Sequence, residues 1–199
     1  MKVAAHYLAW TLGLSRAQTQ TTARERECLS RHAHARRQLV EIGVWHGVTT
    51  ACLRAAMDPQ GELSAVDPYP SGRLGFNMQE RIARREAGRV ARGRVRWLKT
   101  TGELAARGHA PVDFVFIDGD HSETGLRADW NAWSGLVMSD GVVALHDSRS
   151  TPERQIEDAG SVKVTREVIL RDPRFEVVEV VDSLTVVRRR SSAGAAAFE

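Results

Sequence analysis

Short apolar runs alternate with amphipathic segments along most of the chain, and this alternation constrains the fold more than any other feature. Gln38 to Trp45 is an apolar run ending in a glycine-bounded loop, and Val48 to Met57 follows with helical spacing of Val48, Cys52, Leu53 and Ala56. The unit repeats as Leu63 to Val66 with Phe76 to Ala87, Arg94 to Leu98 with Glu103 to Arg107, and Val112 to Ile117 with Ser122 to about Val137. It repeats once more as Gly141 to Leu145 with Val162 to Leu170. Strands apolar on both faces, each followed by a helix, predict a parallel sheet covered on both sides, that is, a doubly wound α/β architecture. The last two runs, Phe175 to Val181 and Leu184 to Arg189, are separated only by Asp182 and Ser183 and so predict an antiparallel hairpin. Before the first strand, Gln18 to Arg37 is polar and reads as a moderately amphipathic helix. The expected organisation is an N-terminal helical segment (1–37), one core domain (38–190) and a flexible tail (191–199).

Composition narrows the classes. With 199 residues, 42% of them apolar, the chain can bury one full core. No window approaches 18 uninterrupted apolar residues, and Met1 to Leu14 lacks a signal-peptide cleavage pattern, so the expectation is a soluble cytoplasmic protein with no membrane partner. Cys28 and Cys52 are too few for a disulfide framework and are expected to be reduced. The net charge of +3 demands no polyanion, although Arg73 to Arg96 concentrates arginines (73, 81, 84, 85, 89, 92, 94, 96) against Glu80 and Glu86. A solvated helix face is the ordinary reading of that patch, and an RNA-binding surface is the alternative. Only Phe76 and Trp97 could stack on bases there, so nucleic acid is not the expected partner.

In an open α/β sheet, ligands lie beyond the carboxyl ends of the strands. The first strand end carries Gly43 and Gly47 in a turn into a helix N-terminus, a setting for an anionic group. Trp45 stands where a dinucleotide-binding turn needs its second glycine, which disfavours a nicotinamide-linked oxidoreductase. Asp67, at the second strand end, can accept from both hydroxyls of a ribose, and the two ends together imply an adenosine-containing cofactor. Asp118 and Asp147 are one crossover apart and should top neighbouring strands, where with Ser148 they could share Mg²⁺, Mn²⁺ or Ca²⁺; His146 keeps zinc open. His121 could exchange a proton near neutral pH. Trp130 and Trp133 read as packing residues rather than stacking platforms.

The ordered set V-E-I-G-V-W-H-G-V-T-T (40–50), A-V-D-P (65–68), F-V-F-I-D-G-D-H-S (114–122) and G-V-V-A-L-H-D-S (141–148), closed by the hairpin, resembles the class I S-adenosylmethionine-dependent methyltransferases. Within them it resembles the small-molecule O-methyltransferases, of the catechol and natural-product sugar types. The resemblance implies a Rossmann-like sheet of order 3-2-1-4-5-7-6 with strand 7 antiparallel. It also implies that Glu41, Gly43 and Trp45 line the methionine and ribose side of the cofactor, with Gly47 in the same turn, and that Thr49 binds its carboxylate. Asp67 would hold the ribose, and Thr101 and Gly102 would lie against the adenine. Asp118 and Asp147 match two metal ligands of the catechol-type branch, Asp118 also touching the cofactor. Ser148 stands where that branch has an asparagine ligand, and His121 where it has a lysine base. The expected activity is methyl transfer to a hydroxyl oxygen of a small-molecule acceptor such as a sugar or catechol, assisted by Mg²⁺ or another divalent cation. An RNA methyltransferase and a non-catalytic cofactor-binding subunit are the competing readings. The short N-terminal segment leaves the mouth of the site open or covered by a second subunit, so a homodimer is also expected.

Overall fold

The computed structural model describes residues 3–72 and 75–191. Helices α1 (Val3–Thr11) and α2 (Ala23–Ala33) lead into β1 (Gln38–Ile42), α3 (Val48–Ala56), β2 (Glu62–Val66), α4 (Met78–Gly88) and β3 (Arg94–Leu98). The chain continues with α5 (Gly102–Ala105), β4 (Val112–Ile117), α6 (Glu123–Trp133), β5 (Val137–Leu145), α7 (Gly160–Glu167), a 3₁₀ turn (Ile169–Arg171), β6 (Phe175–Val181) and β7 (Leu184–Arg189). The strands form one sheet in the order β3-β2-β1-β4-β5-β7-β6, with β7 antiparallel to both its neighbours, as the resemblance implies. No helix among the described residues is long and apolar enough to cross a membrane.

Side chains alternate between the two faces of the sheet, so each strand feeds two cores. Leu39, Phe114, Phe116, Val142, Ala144 and Val186 pack under α2 and α3 with Leu29, Leu53 and Met57. Val40, Ile42, Val115, Ile117, Val143 and Leu145 pack under α6 and α7, where Trp130 and Trp133 are fully buried, as packing residues should be. The N-terminal segment belongs to this unit: Trp10 Nε1 on α1 donates to Glu86 of α4 at 3.0 Å. The outer side of α1 leaves Val3 and Leu8 exposed, as is Leu12 just after it.

Several element bounds differ from the sequence reading, each for a local reason. The helix expected over 18–37 shrinks to α2 because Thr22 and Glu25 form a capping box that starts it, which frees residues 18–20 for another task. Asn77, not Phe76, caps α4 by accepting from the Gln79 and Glu80 amides. Helix α6 stops at Trp133, so that Val137 opens β5 against Val112 ahead of a bulge. The 191–199 tail lies outside the described residues except for Ser191.

Candidate active site

A cavity of about 740 Å³ opens beyond the carboxyl ends of β1, β2 and β4, within the size range of small-molecule sites. Gly43, Val44, Trp45 and Thr49 come from the first strand end and Asp67 from the second. Thr101 and Gly102 come from the third, and Asp118 to His121 from the fourth. Gly43 is required there: its φ is +88°, and a Cβ would stand 2.0 Å from the Asp118 carbonyl oxygen. Asp67 Oδ2 accepts from the Val44 and Trp45 amides at 3.1 and 3.0 Å, and Oδ1 accepts from Tyr69 N at 3.1 Å. A carboxylate has about four acceptor positions, so Asp67 fixes the turn and keeps capacity for a ligand. Trp45 takes a left-handed φ of +49° and stacks on His46 at 4.5 Å.

Two expected cofactor contacts are corrected. Glu41 lies on the same sheet face as Leu39, fully buried beneath the cavity floor and absent from its lining. Its carboxyl takes the hydroxyls of Thr49 and Thr50, and burial pushes its pKa up to about 8 against those bonds. Gly47 is needed for packing rather than for a ligand: at φ +73°, a Cβ would sit 2.7 Å from Ala83 O of α4. Thr49 does line the cavity, but its hydroxyl proton is committed to Glu41.

At one wall the cavity meets a buried polar cluster. Asp118 Oδ1 accepts from His146 Nδ1 at 2.8 Å and from His121 Nε2 at 3.1 Å, while His121 Nδ1 lies 3.1 Å from Asp147 Oδ2. Arg154 closes on the same Asp147 oxygen and also donates to Gln20 at 3.1 Å, tying the 149–160 loop to the strap at residues 18–20. Bonds to Asp118 and Asp147 raise the His121 pKa to about 9 despite burial. Burial alone would lower His146, but Asp118 and Glu25 raise it to about 10. With both ring nitrogens engaged by carboxylates and its proton held at neutral pH, His121 in this arrangement is a proton donor, not the free base expected.

The hard-cation set is corrected as well. Ser148 donates its hydroxyl to Ser183 O at 2.8 Å, lies 2.8 Å from Thr185 Oγ1, and is turned into the sheet. Asp147 Oδ2 is taken by Arg154 and His121, which leaves Oδ1 as that residue's unpartnered oxygen among the described residues, and with Ser148 turned away the expected all-oxygen trio is not assembled.

Sequence reading passed over Asp129, which lines the cavity from α6, accepts from the Glu103 amide and is pushed up to about 6, chiefly by burial. Its signal was present: it shares a helix face with Leu126, Trp130 and Trp133, where a carboxylate is out of place. The approach of Asp129 also explains Gly102, whose Cβ would stand 2.3 Å from Asp129 Oδ1. Gln18, Thr19 and Gln20 close the cavity's front, and no local pattern marks them. Part of the arginine patch is paired with carboxylates at the surface. Arg84 and Lys99 pair with Glu80, Arg89 with Glu86, and Arg94 with Glu62; Arg73 lies outside the described residues.

Residues 40–148, more than half of the chain, match the family described as a methyltransferase domain, and the chain belongs to that family. A search of curated protein sequences finds no match. Among solved structures, the chain is similar to cofactor-bound Rv0187 from MTB (20% identity, 96% of this chain and 91% of that one, TM-score 0.67). It is also similar to the O-methyltransferase TomG of Streptomyces achromogenes, involved in tomaymycin synthesis and solved with SAM (16% identity, 96% and 91% covered, TM-score 0.63). A third is the Bacillus cereus O-methyltransferase in complex with SAH (19% identity, 95% and 91% covered, TM-score 0.60). At these identities the likeness is one of fold.

Proposed function

We propose that this chain transfers the methyl group of S-adenosylmethionine to a hydroxyl oxygen of a small molecule. The observation that carries the reading is the continuity of a nucleoside-sized cavity over Gly43 and Asp67 with the Asp118–His121 wall. The cofactor fits this chain's residues. The glycine turn permits close approach, Asp67 keeps acceptor capacity for ribose hydroxyls, and Asp129 beside Gly102 offers a carboxylate to an amine of the base. Thr101 caps α5 at the same end of the cavity, and Trp45 supplies an apolar wall.

When bound, the sulfonium supplies an activated methyl carbon. This chain's residues must place an acceptor oxygen in line with it and receive the hydroxyl proton. Transfer would form an O–C bond at the expense of the S–C bond, so the acceptor's hydroxyl proton needs a recipient on this chain. Despite burial, the two histidines bonded to Oδ1 of Asp118 hold its pKa below the usual carboxylate value, so its second carboxylate oxygen orients the hydroxyl and receives the proton only as O–C bond formation makes that hydroxyl strongly acidic. The His121 and His146 rings hold the carboxylate in place. The Gln18–Gln20 strap and Arg154 close the site toward solvent, which limits competing hydrolysis. Neighbours solved as O-methyltransferases support transfer to oxygen, and an RNA acceptor has weaker support, since several patch arginines are paired with carboxylates.

The test is a transfer assay with isotopically labelled cofactor across polyhydroxylated small molecules, amines and RNA. Label on the oxygen of a sugar or catechol, with turnover lost in Asp118→Asn, is the expected result. Label on nitrogen or RNA only would contradict it.

A further inference from the structure

We propose that Asp118, His121 and His146 bind one divalent transition-metal ion of borderline softness, zinc or a chemical neighbour such as cobalt, at the cavity wall. Binding itself is independent of the cofactor reading; only the use of the ion, polarising the acceptor oxygen, rests on it.

Three ligand atoms from two strand-end loops converge here. Asp118 Oδ1 and His121 Nε2 come from the loop between β4 and α6, and His146 Nδ1 from the loop after β5. Asp118 Oδ1 stands 2.8 Å from His146 Nδ1 and 3.1 Å from His121 Nε2, and all three atoms lie within 4.8 Å of one another. Ligands about 2.0–2.1 Å from a common ion are separated by roughly 3–4 Å, so the three atoms, now joined by hydrogen bonds, need only spread by a few tenths of an ångström to surround an ion.

The second nitrogen of each ring strengthens the argument. His121 Nδ1 faces Asp147 Oδ2 at 3.1 Å, and His146 Nε2 faces Glu25 Oε2 at 3.5 Å. Each imidazole thus stands between the convergence point and a carboxylate of its own. Binding would release to solvent the proton that each ligating nitrogen now directs at Asp118, and the carboxylate at the second nitrogen then fixes the tautomer and orientation of the ligating ring. A further buried atom lacks a partner among the described residues: Asp147 Oδ1, on a side chain 3% exposed, lies 3.7 Å from His146 Nδ1, where a fourth ligand would stand.

Donor chemistry chooses the ion. Two imidazoles and one carboxylate favour zinc, cobalt or nickel over Mg²⁺ and Ca²⁺, which prefer all-oxygen shells. The site thereby departs from the oxygen-only set that the sequence suggested, while using the same strand ends. Asp118 and His121 also line the cavity, so remaining coordination positions are within reach of an acceptor oxygen.

The test uses the full chain, stripped with EDTA and dialysed, then titrated calorimetrically with Zn²⁺ and separately with Mg²⁺. One Zn²⁺ per chain, bound at least about 100-fold more tightly than Mg²⁺, is expected. His121→Gln and Asp118→Asn, checked for folding by circular dichroism, should each weaken Zn²⁺ binding at least about tenfold. Cys28, His32 and Glu179 form the other group able to hold an ion, so His32→Ala is the control and should leave the affinity unchanged. Zn²⁺ bound no more tightly than Mg²⁺, or binding abolished by His32→Ala and untouched by His121→Gln, would overturn the proposal and leave an ion-free hydrogen-bonded cluster. If the variants fail to fold, the wild type decides: stoichiometric Co²⁺ must give a visible absorption band of imidazole ligation, and its absence overturns the site. S-adenosylhomocysteine binding to the stripped chain is measured alongside. Its retention without a zinc site removes the metal alone, and its loss with an intact zinc site removes the cofactor reading alone.

Discussion

Two carboxylates buried near the cavity carry predictions at the scale of single residues. Glu41 has its folded pKa raised from 4.5 to about 8, chiefly by burial. Between those values the unfolded chain releases a proton that the folded chain keeps, so this group makes stability fall as pH rises through that window. Glu41→Gln keeps the shape and bonding to Thr49 and Thr50 without the ionisation. Relative to wild type its unfolding free energy, read by urea denaturation, should climb from pH 5 to pH 8 by about 1.4 kcal/mol per pH unit at most; a pH-independent difference would refute the assignment. Asp129, raised to about 6, loses its negative charge below that value. S-adenosylhomocysteine affinity should therefore weaken as pH falls through about 6, and Asp129→Asn should flatten that dependence in calorimetric titrations. Glu41 shows why position at a strand end was an incomplete guide. The same period of two that puts Ile42 on one face puts Glu41 on the other, under α3 rather than in the cavity.

At the scale of elements, the close approach of β1 to β4 rests on Gly43. Gly43→Ala would drive a methyl group into the Asp118 carbonyl at a backbone conformation that alanine resists, which should cost on the order of 2–4 kcal/mol and abolish cofactor binding. A variant of wild-type denaturation midpoint that still bound S-adenosylhomocysteine would show that the strand ends are not so tightly joined. Thr22 makes half of the α2 capping box and bonds Asp182 beside the terminal hairpin. Thr22→Ala should lower stability by about 1 kcal/mol, read by urea denaturation. The strands were legible because two-sided burial leaves runs such as Val112 to Ile117 almost free of polar residues. The helix ends were less so, since caps such as Thr22 and Asn77 act through one side chain each.

For the whole molecule, strand alternation and the terminal hairpin were enough to order the sheet, and its topology then brings Asp67, Asp118 and His121 to one mouth. Contacts closed over long sequence distances were not legible. Glu25 reaches His146, Arg154 meets Gln20, and Trp10 reaches Glu86, with nothing near either partner to announce the pairing. The cavity over Gly43 and Asp67 is the claim on which the functional account stands. It is tested most directly by calorimetric titration of the full chain with S-adenosylhomocysteine. The account predicts saturable binding of one molecule per chain, severely weakened in Asp67→Ala. No heat of binding with correctly folded protein, or binding indifferent to Asp67→Ala, would contradict it.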